Sequence, residues 1–290
     1  MPKCFICPRK CGADRPFERG YCGADSLRIA RAAPHYYEEP PISGKNGSGA
    51  IFFSGCPMKC VFCQNHEISA GCYGEKVTVR RLADIMLSLQ DRGCHNINLV
   101  SPTPYVPEII KALDAAKLHI PVVYNTSGYE RAQTLKALEG YVDVYLPDFK
   151  YVSADISEKY SGAPDYPSAA AEALHEMLRQ CGGCEYDENG VMTRGVIVRH
   201  LVLPSHKDES IAALKYLSDN YDKSKFLLSL MSQYVPVFKA AEHPEINRRI
   251  TKLEYRRVSE YALSLGFDGF FQDPASQKSD YTPEFDLTGV

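Results

Sequence analysis

Residues 55–63, GCPMKCVFC, place thiols at Cys56, Cys60 and Cys63, a C-x3-C-x2-C spacing. Three thiolates on so short a loop can hold three irons of a cubane cluster and leave the fourth iron without a protein ligand. Open coordination positions belong to metals that do chemistry, closed ones to metals that hold structure. A small molecule would then have to complete the site. Zinc closed by His66, three residues past Cys63, is the plainer alternative, although thiolates following a strand do not resemble an isolated zinc knuckle. A second set, Cys4, Cys7, Cys11 and Cys22, is spaced C-x2-C-x3-C-x10-C and supplies enough ligands to close a site. Zinc and a second iron–sulfur cluster fit it equally, and a short segment with little core of its own needs such a clamp.

The elements that must position these groups begin at Ala50, where a strand–helix rhythm sets in. AIFFS is an apolar run stopped by Gly55, directly ahead of the cysteine loop. TVRRLADIMLSLQDRG carries Val79, Leu82, Ala83, Met86 and Leu89 on one helical face. NINLVS, PVVYNTS, YVDVYLPDFK, RGVIVRHLVLP, KFLLSLMSQ and FDGFFQ read as further strands. The helices between them are VPEIIKALDAAKL, YERAQTLKALEG, PSAAAEALHEMLRQ, ESIAALKYLSDN and INRRITKLEYRRVSEYALSLG. Strands apolar on both faces and alternating with helices predict a parallel sheet covered by helices, as a doubly wound sheet or a complete or partial barrel. In either architecture ligands gather at the carboxyl ends of the strands.

Polar residues stand at those ends: Ser101-Pro102-Thr103, Asn125-Thr126-Ser127-Gly128, Asp148-Phe149-Lys150, Pro204-Ser205-His206, Ser232-Gln233-Tyr234 and Gln272-Asp273. Ser127 and Ser205 could equally be ordinary helix caps. Arg199 stands inside an apolar run, among Val196, Ile197, Val198, Leu201 and Val202, and must find a polar or anionic partner. A purely structural ion pair with Asp148 is one possibility and a ligand-facing role the other. His200 reads as a satisfied core histidine.

C-x3-C-x2-C with Phe62 before the last cysteine, after the first strand of a β/α repeat, resembles the radical S-adenosylmethionine (radical SAM) superfamily. FFSGCPMKCVFCQNHEIS, NINLVSPTPYVP, PVVYNTSGYE, VDVYLPDFKY and RGVIVRHLVLP more narrowly resemble the relatives of pyruvate formate-lyase activating enzyme, over essentially the whole chain. The resemblance implies a partial (β/α)6-type barrel over residues 46–290, with residues 1–45 as a four-cysteine metal-binding segment and linker. It implies that Cys56, Cys60 and Cys63 ligate a 4Fe–4S cluster whose open iron is chelated by S-adenosylmethionine. Reductive cleavage of that cofactor would release methionine and a 5′-deoxyadenosyl radical that abstracts a hydrogen atom. Phe62 would lie against the adenine, and Asp148, Lys150 and Arg199 would approach the methionine part. Asn125 and Thr126 match an Asp-Thr pair of the glycyl-radical activases, in which the Asp helps hold a monovalent cation. Ser101-Pro102-Thr103 replaces a Gly-Gly-Glu that meets the cofactor's amino group, so Ser101 and Thr103 are weaker stand-ins. Flavodoxin or ferredoxin would be the electron donor, and a glycyl-radical enzyme the candidate protein substrate. A radical enzyme acting on a small molecule or another peptide is the alternative.

Composition narrows the rival classes. The chain has 290 residues, a net charge of −3 and no Lys/Arg block, which argues against nucleic-acid binding. No segment has signal-peptide or membrane-span character, so a cytoplasmic location is expected. The 11 cysteines are odd in number and clustered, unlike a disulfide scaffold. Cys181 and Cys184 could be a redox pair, extra ligands or incidental thiols; Cys94 reads as a core thiol, and Cys72 has no assigned role. A plain iron–sulfur electron carrier would need no polar strand ends, and a zinc-ribbon module would need no barrel.

Overall fold

The structure is a computed structural model that describes residues 3–15, 17–272 and 282–290; Asp273 lies outside them. Among these residues ten strands form one sheet: β1 Arg28–His35, β2 Ser48–Phe53, β3 Glu75–Lys76, β4 Ile97–Val100, β5 Val122–Thr126, β6 Val144–Pro147, β7 Glu185–Tyr186, β8 Met192–Leu201, β9 Leu227–Met231 and β10 Gly269–Phe271. Their spatial order is β10-β9-β8-β6-β5-β4-β2-β1-β3, with β7 paired to β8. From β2 to β10 the neighbours in this order pair in parallel and follow chain order. That progression is an open, partial β/α barrel, not a doubly wound sheet.

Among the described residues nine helices accompany the strands: α1 Pro40–Ser43, α2 His66–Ser69, α3 Val79–Asp91, α4 Val106–Ala116, α5 Ala132–Lys136, α6 Ala154–Ser161, α7 Tyr166–Cys181, α8 Lys207–Asn220 and α9 Lys252–Ser264. The apolar face of α3, with Leu82, Met86 and Leu89, is buried in the large core between helices and sheet. Two helices depart from their sequence patterns. The helix expected over YERAQTLKALEG is confined to α5. The last helix starts at Lys252, because Thr251 and Glu254 close a capping box there. None of the described helices is long and apolar enough to cross a membrane.

The opposite face of the barrel strands decides function. Strand side chains alternate, so Val123 and Asn125, Val144 and Leu146, and Ile197 and Arg199 each share the inner face. Below, Ile42 of α1 packs with Val123, Val144, Leu146, Met192 and Ile197 into a small separate core. Above that layer the inner face turns polar.

The N-terminal 45 residues supply part of this architecture. β1 pairs antiparallel with β2, and the last residues run back along β1: Ala32 N–H donates to the Thr288 carbonyl and Arg31 pairs with Asp286 at 2.6 Å.

Candidate active site

β2 delivers the chain into the cysteine loop. Gly55 follows it at φ +88°, and a Cβ there would stand 2.8 Å from the Cys22 carbonyl, so a left-handed backbone and a close approach coincide. The loop is tied on every side. Cys56 N–H donates to the Cys22 carbonyl (3.2 Å), Lys59 N–H to Ser161 (3.1 Å), Val61 N–H to Tyr160 (2.9 Å), and Arg9 Nε to the Pro57 carbonyl (2.8 Å). The first and last of these come from the N-terminal cysteine segment, which therefore buttresses the loop.

The loop faces a cavity of about 230 Å³ at the carboxyl ends of the parallel strands. Cys56, Cys60, Cys63, Phe62, Ser101, Asn125, Thr126, Asp148, Lys150 and Arg199 all line it. The positions that the resemblance places at the cluster and cofactor are thus gathered at one place, with one exception, while the strand-end residues Ser205 and His206 lie outside the lining. Thr103 is outside the lining: its hydroxyl turns away and donates to Glu130 Oε1 at 2.5 Å. Thr126 lines the cavity but sends its hydroxyl to the same oxygen, also at 2.5 Å. Ser101 reaches the wall with φ +57°, a left-handed conformation uncommon for a non-glycine residue. Phe62 is buried and packs edge-on to Tyr234, ring centroids 5.7 Å apart.

Burial pushes all three loop thiols up, Cys63 to about 11. Without a metal they are neutral thiols, so ligation must displace protons. Ser161 Oγ stands 3.0 Å from Cys60 Sγ and Ser69 Oγ 3.2 Å from Cys63 Sγ; towards thiolates both hydroxyls act as donors. Among the described residues no three Cys, His, Asp or Glu side chains close on a single metal ion as they stand. Three cysteine side chains from one loop on the wall of a single cavity are the donor set that a cubane cluster with one open iron takes. His66 does not join it: the ring stacks on Phe238, Nδ1 lies 3.2 Å from the Cys63 carbonyl, and the residue is not in the cavity wall.

The polar inner layer is a buried charge network. Register brings Asp148 beside Arg199, whose Nε donates to Asp148 Oδ1 at 3.2 Å. Arg199 Nη2 donates to Asn125 Oδ1 (2.6 Å) and Nη1 to Glu38 Oε2 (3.4 Å); Lys150 Nζ holds Asp148 Oδ2 at 2.5 Å. Burial opposes the Asp148 charge, yet Lys150 and Arg199 hold its carboxyl below the usual range. Tyr166 fixes the neighbouring loops, donating to the Ser127 and Asp148 carbonyls and accepting from Lys150 N–H, each at 2.9 Å. Arg199 is therefore ion-paired and also lines the cavity. His200 is a core residue, its Nδ1 2.6 Å from the Phe149 carbonyl.

Two acidic residues here escaped sequence reasoning. Glu38 lies just before α1 in a stretch that reads as loop, and only its adjacency to Glu39 ahead of an apolar segment hinted at use. Glu130 is buried behind the strand ends, where Thr103, Thr126 and Tyr124 hydroxyls all converge on Oε1 while Oε2 has no partner among the described residues. Burial raises its pKa to about 7. The native state thus binds this proton more tightly than the unfolded chain does. The stabilisation is full below the ordinary value of 4.5 and is lost as pH rises through about 7. We expect Glu130→Gln to flatten the Tm–pH curve between these limits and to gain about 3 kcal/mol relative to the parent at pH 8. An unchanged slope in thermal melts would contradict this placement.

At the N-terminus, Cys4, Cys7, Cys11 and Cys22 line one small cavity together with Arg15, Tyr21 and Pro104. Arg15 Nη2 lies 3.4 Å from Cys4 Sγ, and Lys10 N–H donates to the Cys7 carbonyl in a tight turn. Cys94 is a buried thiol, and Cys181 is buried with its Sγ 3.5 Å from the Asp143 carbonyl. All eleven cysteines are free of disulfides.

Comparison with known proteins decides the family. Residues 50–217, more than half the chain, match the family model described as the radical SAM superfamily. The chain belongs to the radical SAM superfamily. Enzymes of this family use a 4Fe–4S cluster and S-adenosylmethionine, the two cofactors that the sequence resemblance implies. This radical SAM chain is 32% identical over 275 residues to the uncharacterized protein MJ0674 of Methanocaldococcus jannaschii, covering 91% of this chain and 75% of that protein. Among solved structures, SuiB of Streptococcus suis bound to S-adenosylmethionine aligns with a TM-score of 0.48 at 14% identity, over 78% of this chain and 46% of SuiB. Methylornithine synthase (PylB) aligns with a TM-score of 0.49 at 14% identity, over 74% of this chain and 63% of that one. The chain spans less than half the length of SuiB.

Proposed function

We propose that this radical SAM enzyme binds its 4Fe–4S cluster through Cys56, Cys60 and Cys63 and uses a protein segment as substrate, with a glycyl-radical enzyme as the specific candidate. The observation that carries the proposal is the single cavity shared by the three thiols and the Asp148–Lys150–Arg199 network. Bound there, the cluster and S-adenosylmethionine supply a 5′-deoxyadenosyl radical for hydrogen abstraction. The chain's own residues do the rest. Arg199 and Lys150 offer cationic donors to the cofactor's carboxylate, Asp148 and Asn125 hold those cations in place, and Phe62 supplies an apolar wall for the adenine. Ser101 and Thr126 complete the wall near the methionine part, whereas Thr103 acts from behind it, through Glu130. Flavodoxin or ferredoxin remains the proposed electron donor.

The protein-substrate reading is supported by large exposed aromatics beside the site. Tyr37 lines the cavity yet is 59% exposed, and Phe238, 41% exposed, covers His66 next to the cysteine loop. Such side chains suit contact with a peptide segment. Anaerobic incubation with a candidate glycyl-radical enzyme should give the doublet of a protein glycyl radical by electron paramagnetic resonance. Formation of 5′-deoxyadenosine with no protein-centred signal from any such partner would favour a small-molecule substrate.

Cys4, Cys7, Cys11 and Cys22 are proposed as a second metal site, zinc or iron–sulfur, that stiffens the segment bearing on the cysteine loop. Metal analysis tests it directly. The purified chain should carry metal beyond one cluster, and Cys11→Ala, at an exposed position, should lose that increment while keeping the cluster of the barrel. Equal metal content in parent and variant would contradict the site.

A further inference from the structure

Glu38 reaches the barrel interior from a segment outside the β/α repeat, and every partner it has is a donor. Its Oε1 accepts from Asn98 Nδ2 and Asn125 Nδ2, each at 3.1 Å, and its Oε2 accepts from Arg199. Only an ionised carboxylate satisfies three donors at once without presenting a proton of its own. Glu38 also lines the cavity, with its side chain 11% exposed. Its neighbour Glu39 is buried outside the cavity wall, with Oε2 unpartnered among the described residues and burial pushing its pKa up, as suits a neutral acid. Asp148 completes the acidic side. Two carboxylates, Glu38 and Asp148, thus face two cations, Arg199 and Lys150, and balance them. Asn125 adds no charge.

The geometry points to Glu38 as a specificity-determining and positioning residue: it sets the charge of the cavity for a ligand with one net positive charge and holds the Arg199 and Asn125 donors in place. This rests on the proposal that S-adenosylmethionine occupies the cavity. That molecule carries an ammonium, a sulfonium and a carboxylate, a net charge of +1. Its demethylated form, S-adenosylhomocysteine, lacks the sulfonium and is net neutral. Without the Glu38 charge the side-chain network would carry one excess positive charge in a poorly hydrated site, which penalises the cationic ligand and spares the neutral one, so the discrimination resides in this carboxylate. Glu38→Gln keeps the side chain's shape and its capacity to accept from Arg199 but removes the charge.

The test is anaerobic titration calorimetry of the full-length, cluster-reconstituted protein with S-adenosylmethionine and, separately, with S-adenosylhomocysteine. Glu38→Gln should weaken S-adenosylmethionine about tenfold more than S-adenosylhomocysteine. Glu38→Asp keeps the charge with shorter reach; it should weaken both ligands and preserve the parent's ratio between them. Iron content and thermal melts establish that each variant is folded, and should Glu38→Gln fail to fold, the Glu38→Asp ratio decides. An unchanged ratio in Glu38→Gln, or a ratio lost in Glu38→Asp, overturns the role of Glu38 and leaves the cofactor site standing. Failure of the parent protein itself to bind S-adenosylmethionine overturns the cofactor site, and the role of Glu38 with it.

Discussion

Cys63→Ala, reconstituted anaerobically with iron and sulfide, reduced and given S-adenosylmethionine, is expected to release no 5′-deoxyadenosine, whereas the parent protein releases it. The effect should be complete because three thiolates are the minimum that holds a cubane with one open iron, and no nearby residue can substitute. His66 is stacked on Phe238, and Ser69, 3.2 Å from Cys63 Sγ, offers only a hydroxyl. Cys56→Ala and Cys60→Ala should behave alike. The fold should survive, since removing one buried sulfur costs about 1 kcal/mol and the loop stays tied through Cys22, Ser161 and Tyr160. Circular dichroism with iron quantification separates loss of the cluster from loss of the fold. Cofactor cleavage by Cys63→Ala at the parent rate would remove the cysteine loop from the chemistry.

Arg199→Ala is expected to lose both cofactor affinity and stability while retaining iron. The guanidinium is buried among Asp148, Glu38 and Asn125; its removal leaves Glu38 without a cation while Asp148 keeps Lys150, a change that costs about 3–5 kcal/mol. Glu38 responds by taking up a proton, so the variant does not become a stronger cation site. It simply lacks the donor proposed to face the cofactor's carboxylate, and affinity should fall about tenfold or more. The thiols stand on a different loop, tied by other residues, so cluster content should hold. Calorimetric binding beside an iron assay reads both quantities. Unaltered binding with reduced stability would confine Arg199 to a structural ion pair.

Much of this arrangement was legible in the sequence because its signals are local. An apolar run stopped by Gly55 and followed by three spaced cysteines places the loop after a strand, and alternation along RGVIVRHLVLP puts Arg199 on a face opposite Val198. The parallel sheet covered by helices follows from the same rhythm, which left a doubly wound sheet and a barrel equally open; the partial barrel came from the resemblance. What escaped reading depends on contacts distant in sequence. β1, RIARAAPH, has little β-branched character and is a strand because β2 and the chain's last residues pair with it. Glu38 sits in a loop-like stretch and gains meaning only 161 residues away, at Arg199. Thr103 occupies a strand-end position like its neighbours, but the short helical turn it begins at Thr103–Tyr105 rotates its hydroxyl towards Glu130. Residue type and spacing could not show which side of that turn faces the cavity.

The central claim is that the cysteine loop lacks a fourth ligand because S-adenosylmethionine supplies it. Electron paramagnetic resonance of the reduced, reconstituted parent protein, recorded before and after S-adenosylmethionine is added, tests this most directly. A shift of the cluster's g-values on addition, absent when S-adenosylmethionine is added to Cys63→Ala, is the predicted result. A fully formed 4Fe–4S signal that does not change in the parent protein at saturating S-adenosylmethionine would contradict it.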